Sequence, residues 1–292
     1  MTTYLQLAAD ALMLGGVYGA IAVGLSISFG VMRVVNWAHG ECLMAAMYIA
    51  YSLITFSGID PFIATAIAGV ALFGFGYVLQ RYVWNNILER ESEREPVTIM
   101  LFGAGLGLAL SSIALMLFTS FPVQAQTYLK GKMWDLGGVF ISVPRLIAFV
   151  FAVALTVLLY FVIQKTEVGR AIRATSQNRF VAQLMGIPYK HVYALVFGLG
   201  LGLLGMSGGL MVPFFPITPI IGATFGFKAM VIVVLGGKGS IPGALLGGLI
   251  VAVVEKFGGW FLNDVYAQCL IFVVFILTLL VKPNGLLGTD KG

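Results

Sequence analysis

Charge is scarce in this sequence. Only 10% of its 292 residues are Asp, Glu, Lys or Arg, against roughly a quarter in a globular domain, so a water-soluble fold of this length is excluded. Cysteine and histidine are few: Cys42 and Cys269 lie far apart in apolar surroundings without a C-x-x-C, and His39 and His191 are the only histidines. Neither a disulfide framework nor a metal site can be assembled from them, and no cofactor is expected. Small buried core residues are the ordinary role of such cysteines. Long polar stretches are missing too. The longest, Ser120–Pro144, has the size of a capping loop, which leaves nothing large enough to bury a separate core or bind a nucleotide. The opening MTTYLQLAAD has no basic region and no small-residue cleavage site follows it, so the first apolar segment is expected to stay in the membrane. The net charge of +5 does not point to nucleic acid, because the bases form neither a run nor a patch interleaved with aromatics. Most sit at the ends of apolar segments, where they set orientation.

What the chain has is apolar length. Hydrophobic residues make up 60% of it and the mean hydropathy is +1.00. Apolar segments run approximately over Leu5–Met32, Gly40–Ser57, Pro61–Val83, Val97–Thr119, Pro144–Gln164, His191–Val212, Phe227–Leu235, Gly243–Phe257 and Gln268–Val281. They are too long for barrel strands of about 10 alternating residues and suit helices of about 20. The expectation is an all-α polytopic membrane protein, one transmembrane domain over residues 1–292. It has eight or nine membrane segments, depending on whether the short Phe227–Leu235 stretch spans. The positive-inside rule puts the basic loop at 165–190 in the cytoplasm. The Trp84–Pro96 loop, with Arg90 and Arg94, joins it there, as does the tail with Lys282 and Lys291. Ser120–Pro144 then faces outward against the mild objection of Lys130, Lys132 and Arg145, and the N-terminus is outside.

The loop from Gln164 to Lys190 is the most informative stretch, a polar island carrying five Lys/Arg between two apolar segments. It reads as a short helix started by Thr175 or Ser176 and stopped by Gly186 and Pro188. Arg170 and Arg173 are expected to bond acidic groups or carbonyls of a docked partner, with Phe180 and Leu184, at i and i+4, as an apolar anchor. Two interruptions break the helical pattern. Arg33–Glu41 sets Asn36, His39 and Glu41 between apolar runs, and Gly236–Gly243 does the same with Gly236, Gly237, Lys238 and Ser240. Breaks in corresponding positions of two halves point to a transport pathway, although an ordinary interfacial turn is the alternative for each.

Several motifs have plainer readings. Gly198, Gly202, Gly205 and Gly209 share one helix face and suit close helix packing. The G-x-G-x-x-G at Gly200–Gly205 lacks a preceding strand, and in GGKG (Gly236–Gly239) no Ser or Thr follows Lys238, so neither binds a nucleotide. His39 and Glu41, at i and i+2, point to different faces and have no nucleophile beside them. A pathway or structural role suits them better than catalysis. Glu255 and Lys256 read as an interfacial marker rather than a buried interhelical contact.

NWAHGE at Asn36–Glu41, VGRAIRATSQNRFVAQLMGI at Val168–Ile187, VLGGKGSIPGALLGG at Val234–Gly248 and KPNGLLG at Lys282–Gly288 together give a specific resemblance over nearly the whole chain. The chain resembles the membrane permease subunits of the branched-chain (hydrophobic) amino-acid uptake family of bacterial ATP-binding-cassette importers. Trp37 stands where that family more often has Phe. The resemblance implies the importer permease fold with broken or re-entrant helices in the bacterial inner membrane. It also implies a second homologous permease subunit, two cytoplasmic ATPases and an extracytoplasmic binding protein that delivers a small-molecule substrate. It makes Gly169, Arg170, Arg173, Ala174 and Asn178 ATPase-coupling residues. Branched-chain or other apolar amino acids are the default substrate, with urea, short amides or aromatic acids as alternatives. A stand-alone ion-coupled transporter is the rival from another class. It would need buried carboxylates, for which Glu41 and Glu255 are the candidates.

Overall fold

A computed structural model describes residues 2–90, 97–135 and 137–288. Arg94 and Lys291, expected on the basic side, lie outside the described residues, as does the side chain of Arg90. Among the described residues, eight helices are long and apolar enough to cross a membrane. They include α1 (Thr2–Met32), α2 (His39–Ser57) and α3 (Pro61–Leu79), which runs through a π turn at Gln80–Trp84 into α4 (Asn85–Arg90). The others are α5 (Val97–Phe118), α6 (Val143–Lys165), α9 (Tyr189–Met211), α11 (Ile241–Phe261) and α12 (Asp264–Val281). Between them lie α7 (Glu167–Gln177), α8 (Arg179–Leu184) and a shorter apolar helix α10 (Ile221–Gly236). The helical reading holds, with one addition: the Ser120–Pro144 loop carries a two-stranded antiparallel hairpin, β1 (Met133–Asp135) with β2 (Phe140–Ser142).

α1 and α9 are buried on nearly all sides and form the centre, as a helix apolar all round must. They cross with backbones almost touching. A methyl on Gly24 would fall 2.4 Å from the Gly200 carbonyl oxygen, and one on Gly200 would fall 2.6 Å from that of Gly24. The glycine stripe of α9 works as its spacing suggests: Gly198 and Gly202 face Phe73, Gly205 faces Ala68 and Gly209 faces Thr65, all on α3. α12 sits at the periphery, burying little beyond Ala267 and Ile271. Cys269 is therefore exposed, whereas Cys42 is buried as expected.

The two ends of the bundle differ. At the end bearing β1 and β2, the Gln6 side-chain amide exchanges two bonds of 2.7 Å with the backbone of Phe140. Arg145 pairs with Asp10 there at 2.9 Å, so this base is neutralised locally and carries no weight in orientation. The opposite end bears α7 and α8, against which α1 and α6 finish.

Two helix pairs reverse direction inside the bundle. α1 runs down to Met32 and Arg33, whose φ of 57° ends the helix in the left-handed region at a cost of about 1–2 kcal/mol. Residues 33–38 then climb back, and α2 starts where His39 meets Ile21 of α1, about 16 Å above that lower end at 1.5 Å per residue. The second pair is its inverse. α9 runs up to Met211, residues 212–220 turn back with Ile217 bridged to Val123 of the upper loop, and α10 runs down. Its start packs on the start of α2, where a methyl on Gly40 would fall 1.9 Å from the Gly222 carbonyl oxygen. The second interruption expected at Gly236–Gly243 is instead a tight turn joining α10 to α11, set against Gly30 at the foot of α1. The counterpart of residues 33–38 is the segment 212–220, broken by Pro213, Pro216 and Pro219, each of which denies the helix a donor.

Candidate functional site

The upper part of the site lies where α2 and α10 both begin. Asn36 folds its Oδ1 back to accept the Ala38 N–H at 3.0 Å, a local bond that holds the chain out of helix until His39. The His39 ring then ties the break to α1. A carbonyl only accepts, so Nε2 carries the proton it donates to Ile21 O at 3.0 Å. The Glu41 side chain leaves by another face, against Gly107 of α5, while its backbone packs on Gly222 of α10, as the i, i+2 spacing requires. No cation pairs with its carboxylate among the described residues. Asn36 is 4% exposed, and its Nδ2 has no partner. Both side chains line a cavity of about 140 Å³, walled by Leu25, Trp37, Phe227 and Met230.

The lower part of the site is a cavity of about 560 Å³ lined by Arg33, Arg173, Lys238 and Ser240, without an acidic side chain. Gly236 and Gly237 lie beside it, clasped by the tail: Leu286 and Leu287 donate to the Leu235 and Gly236 carbonyls at 2.9 and 3.0 Å. The residues read as one substrate path are therefore not all brought together. Asn36, His39 and Glu41 cluster at the level of Ile21, while the Ser240 carbonyl sits one turn or more lower, opposite Ser26. Ser240 is a cap, its Oγ accepting the Gly243 N–H at 3.1 Å.

The basic loop contains two helices, and its caps differ from those expected. Thr166 starts α7 by accepting the Gly169 N–H at 3.1 Å. Asn178 ends α7 and starts α8, accepting from Phe180 and Val181 at 2.9 and 3.2 Å. Thr175 and Ser176 spend their hydroxyls inside the helix, on the Ala171 and Arg173 carbonyls. Gly186 does stop α8, with φ 82°, and Gly186 N–H to Gln183 O with Ile187 N–H to Ala182 O closes a Schellman motif.

α7 is held hard against α6. Gly169 leaves no room for a side chain, since a methyl there would fall 2.0 Å from Ile163 O. Arg173 turns inward and donates to the Ile163 and Gln164 carbonyls, satisfying acceptors that the end of α6 leaves open. A partner contact was expected of it; within this chain its guanidinium is held by the end of α6. Arg170, paired at 3.0 Å with an exposed Glu167, remains outside, and Ala174 is half-buried on the helix. Beyond them α8 buries only Ala182. Phe180, Val181, Leu184 and Met185 are 54–85% exposed, a large apolar patch to leave uncovered.

Glu255 is no interfacial marker. It accepts from Lys228 at 2.8 Å and from the Tyr18 hydroxyl at 3.2 Å, so the less favoured sequence reading, a buried interhelical contact, is the one that holds, as a tie between α1, α10 and α11 whose partners were not foreseen. Its sign was a lone lysine within an apolar helix, which in a membrane calls for a partner. This pairing removes one of the two carboxylates that an ion-coupled carrier would use.

Comparison with known proteins agrees with this architecture. Residues 7–279 match the family described as branched-chain amino acid transport system / permease component. The chain is 32% identical over 301 residues to the high-affinity branched-chain amino acid transport system permease protein BraD of Pseudomonas aeruginosa, covering 99% of this chain and 97% of that protein. It is 29% identical over 306 residues to the corresponding LivH of Escherichia coli, covering 99% and 96%. Among solved structures, PsaBC from Streptococcus pneumoniae in complex with Fab is similar with a TM-score of 0.52 at 15% identity, covering 96% of this chain and 92% of that one. That likeness is one of fold.

Proposed function

Because the chain belongs to the family of branched-chain amino-acid transport permease components, we propose that it is the membrane-spanning subunit of an ATP-driven importer of apolar amino acids. It acts in the bacterial inner membrane as a single transmembrane domain. A second homologous permease lies beside it, two ATP-binding subunits lie beneath it, and an extracytoplasmic protein delivers the substrate. Relatives named for branched-chain amino acids over nearly their full length support that substrate over urea, short amides or aromatic acids.

The observation that carries the proposal is the construction of α7 and α8. α7 is locked to the ends of α1, α6 and α9 through Gly169, Ile172 and Arg173. α8 projects its apolar side chains away from the bundle. A push on α8 is thereby delivered to α6 and α9, whose far ends reach the upper loops. Phe180 and Leu184 are the anchor in a cleft of the ATPase, Arg170 is the charged contact, and Asn178 with Gly186 sets the helix ends. Uptake passes Asn36, His39 and Glu41 and leaves beside Gly236, Gly237 and Ser240.

The test replaces Phe180 and Leu184 together with Asp. Both side chains are exposed, so insertion and thermal stability stay at wild-type values, while co-purification of the ATPase subunits falls at least tenfold. Wild-type recruitment and uptake in this variant would leave α7 and α8 with only a topological role.

A further inference from the structure

The cavity at the start of α2 and α10 has a chemistry that importing alone does not require. Glu41 is a half-buried carboxylate with no cation beside it among the described residues. Asn36 is buried with both amide protons free, because its Oδ1 is already committed to Ala38. Both helices open without a side-chain cap; the His39 and Ile221 N–H groups are met by the Asn36 and Thr218 carbonyls, and the rest of each opening turn, with its positive dipole end, lies at the cavity. For α2 the Glu41 carboxylate itself answers that charge. For α10 nothing does: its first turn, around Ala223, lies along the cavity with no acidic residue of its own. The site thus offers one anion, and next to it the unpartnered Asn36 amide and a helix end without an acidic side chain.

We infer that this cavity binds a zwitterionic α-amino acid in transit, its ammonium on Glu41 and its carboxylate on the Asn36 amide and the opening turn of α10. The remaining wall is apolar, made by Leu25, Trp37, Phe227 and Met230, and receives an aliphatic side chain. The volume of about 140 Å³ suits a single small amino acid and not a peptide. Broken helices place dipole ends at substrate carboxylates in membrane carriers generally, and a lone carboxylate at this depth is stable only when something answers it. His39 has a different part. Its bond to Ile21 fixes the break, so it is a positioning residue.

This inference rests on the importer reading, and the experiment separates the two. The complete complex is reconstituted in vesicles with its binding protein, and a leucine analogue carrying a diazirine in the side chain is photolysed during turnover. In the wild type the label is expected on Trp37, Phe227 or Met230. Glu41→Gln should cut both labelling and ATP-driven leucine uptake at least tenfold with the complex still assembled, and Glu41→Asp should recover at least a third of both. Label on those side chains undiminished in Glu41→Gln, with wild-type uptake, would overturn the site and leave the importer standing. Failure of Glu41→Gln to assemble would also overturn it, since Glu41 would then belong to the contact with the second permease. A wild-type complex that hydrolyses ATP but takes up no leucine, isoleucine or valine would sink both readings.

Discussion

Replacing Gly169 by alanine tests how firmly α7 is fixed to the bundle. The added methyl falls 2.0 Å from the Ile163 carbonyl oxygen and 2.6 Å from that of Val162, against a carbon–oxygen contact of about 3.3 Å. Both obstacles are backbone, so α7 must withdraw from α6 by about 1 Å. The bond from Arg173 to Gln164 O, already 3.1 Å long, then exceeds hydrogen-bonding range, and its shorter companion to Ile163 O is stretched and weakened. Such charge-assisted bonds are worth about 1.5–3 kcal/mol each when buried. Arg173 is only half-buried, so about 2–3 kcal/mol for losing one bond and weakening the other is the discounted figure. Alanine's helix propensity returns at most about 1 kcal/mol. A net loss of about 1–2 kcal/mol raises local opening about 5- to 30-fold. Amide hydrogen exchange, followed peptide by peptide on the protein in nanodiscs, should accelerate by that factor across residues 167–177 while α9 exchanges as before. Unchanged exchange in α7 would refute the argument that Gly169 and Arg173 hold it in place.

Gly24→Ala should lower the thermal midpoint of the purified protein by several degrees, because the α1–α9 crossing must open, whereas Gly105→Ala, with nothing within 4 Å of the new methyl, should leave it unchanged or raise it slightly through alanine's helix propensity. Equal midpoints for the two would argue against a close-packed crossing. Glu255→Gln leaves Lys228 partly buried and without its counter-ion, which should cost about 2–3 kcal/mol of stability. The Lys228→Met, Glu255→Leu pair should recover more than half of that loss, and a double variant less stable than the single one would show that the pair is stabilising in its own right.

The spans and the packing stripe were legible because they depend on patterns local to the chain. Apolar length defines a span, and a glycine every third or fourth residue defines a face. Gly186 could likewise be placed, since a glycine followed by Pro188 has one common use at a helix end. The caps were harder. Thr166, Thr175 and Ser176 are chemically interchangeable as caps, and only the seating of Gly169 on α6 decides that the helix starts at Thr166. The direction of Arg173 depends on the open carbonyls at the end of α6, which a sequence does not display. The second break was sought in glycines when it lay in prolines: Pro213, Pro216 and Pro219 were overlooked because they follow a span and read as an ordinary exit. Lys228 was passed over for a related reason, its partner being 27 residues away on another helix.

The central claim is that this chain moves amino acids only when an ATPase works through α7 and α8, and uptake by reconstituted vesicles tests it most directly. Radiolabelled leucine would be supplied outside with the binding protein and ATP enclosed on the side of the ATPase subunits. Accumulation should require ATP, cease when the permease is supplied without its ATPase partners, and cease in the Phe180→Asp, Leu184→Asp variant while the permease remains inserted. Leucine accumulation at the wild-type rate without ATP, or driven by an ion gradient alone, would contradict the account.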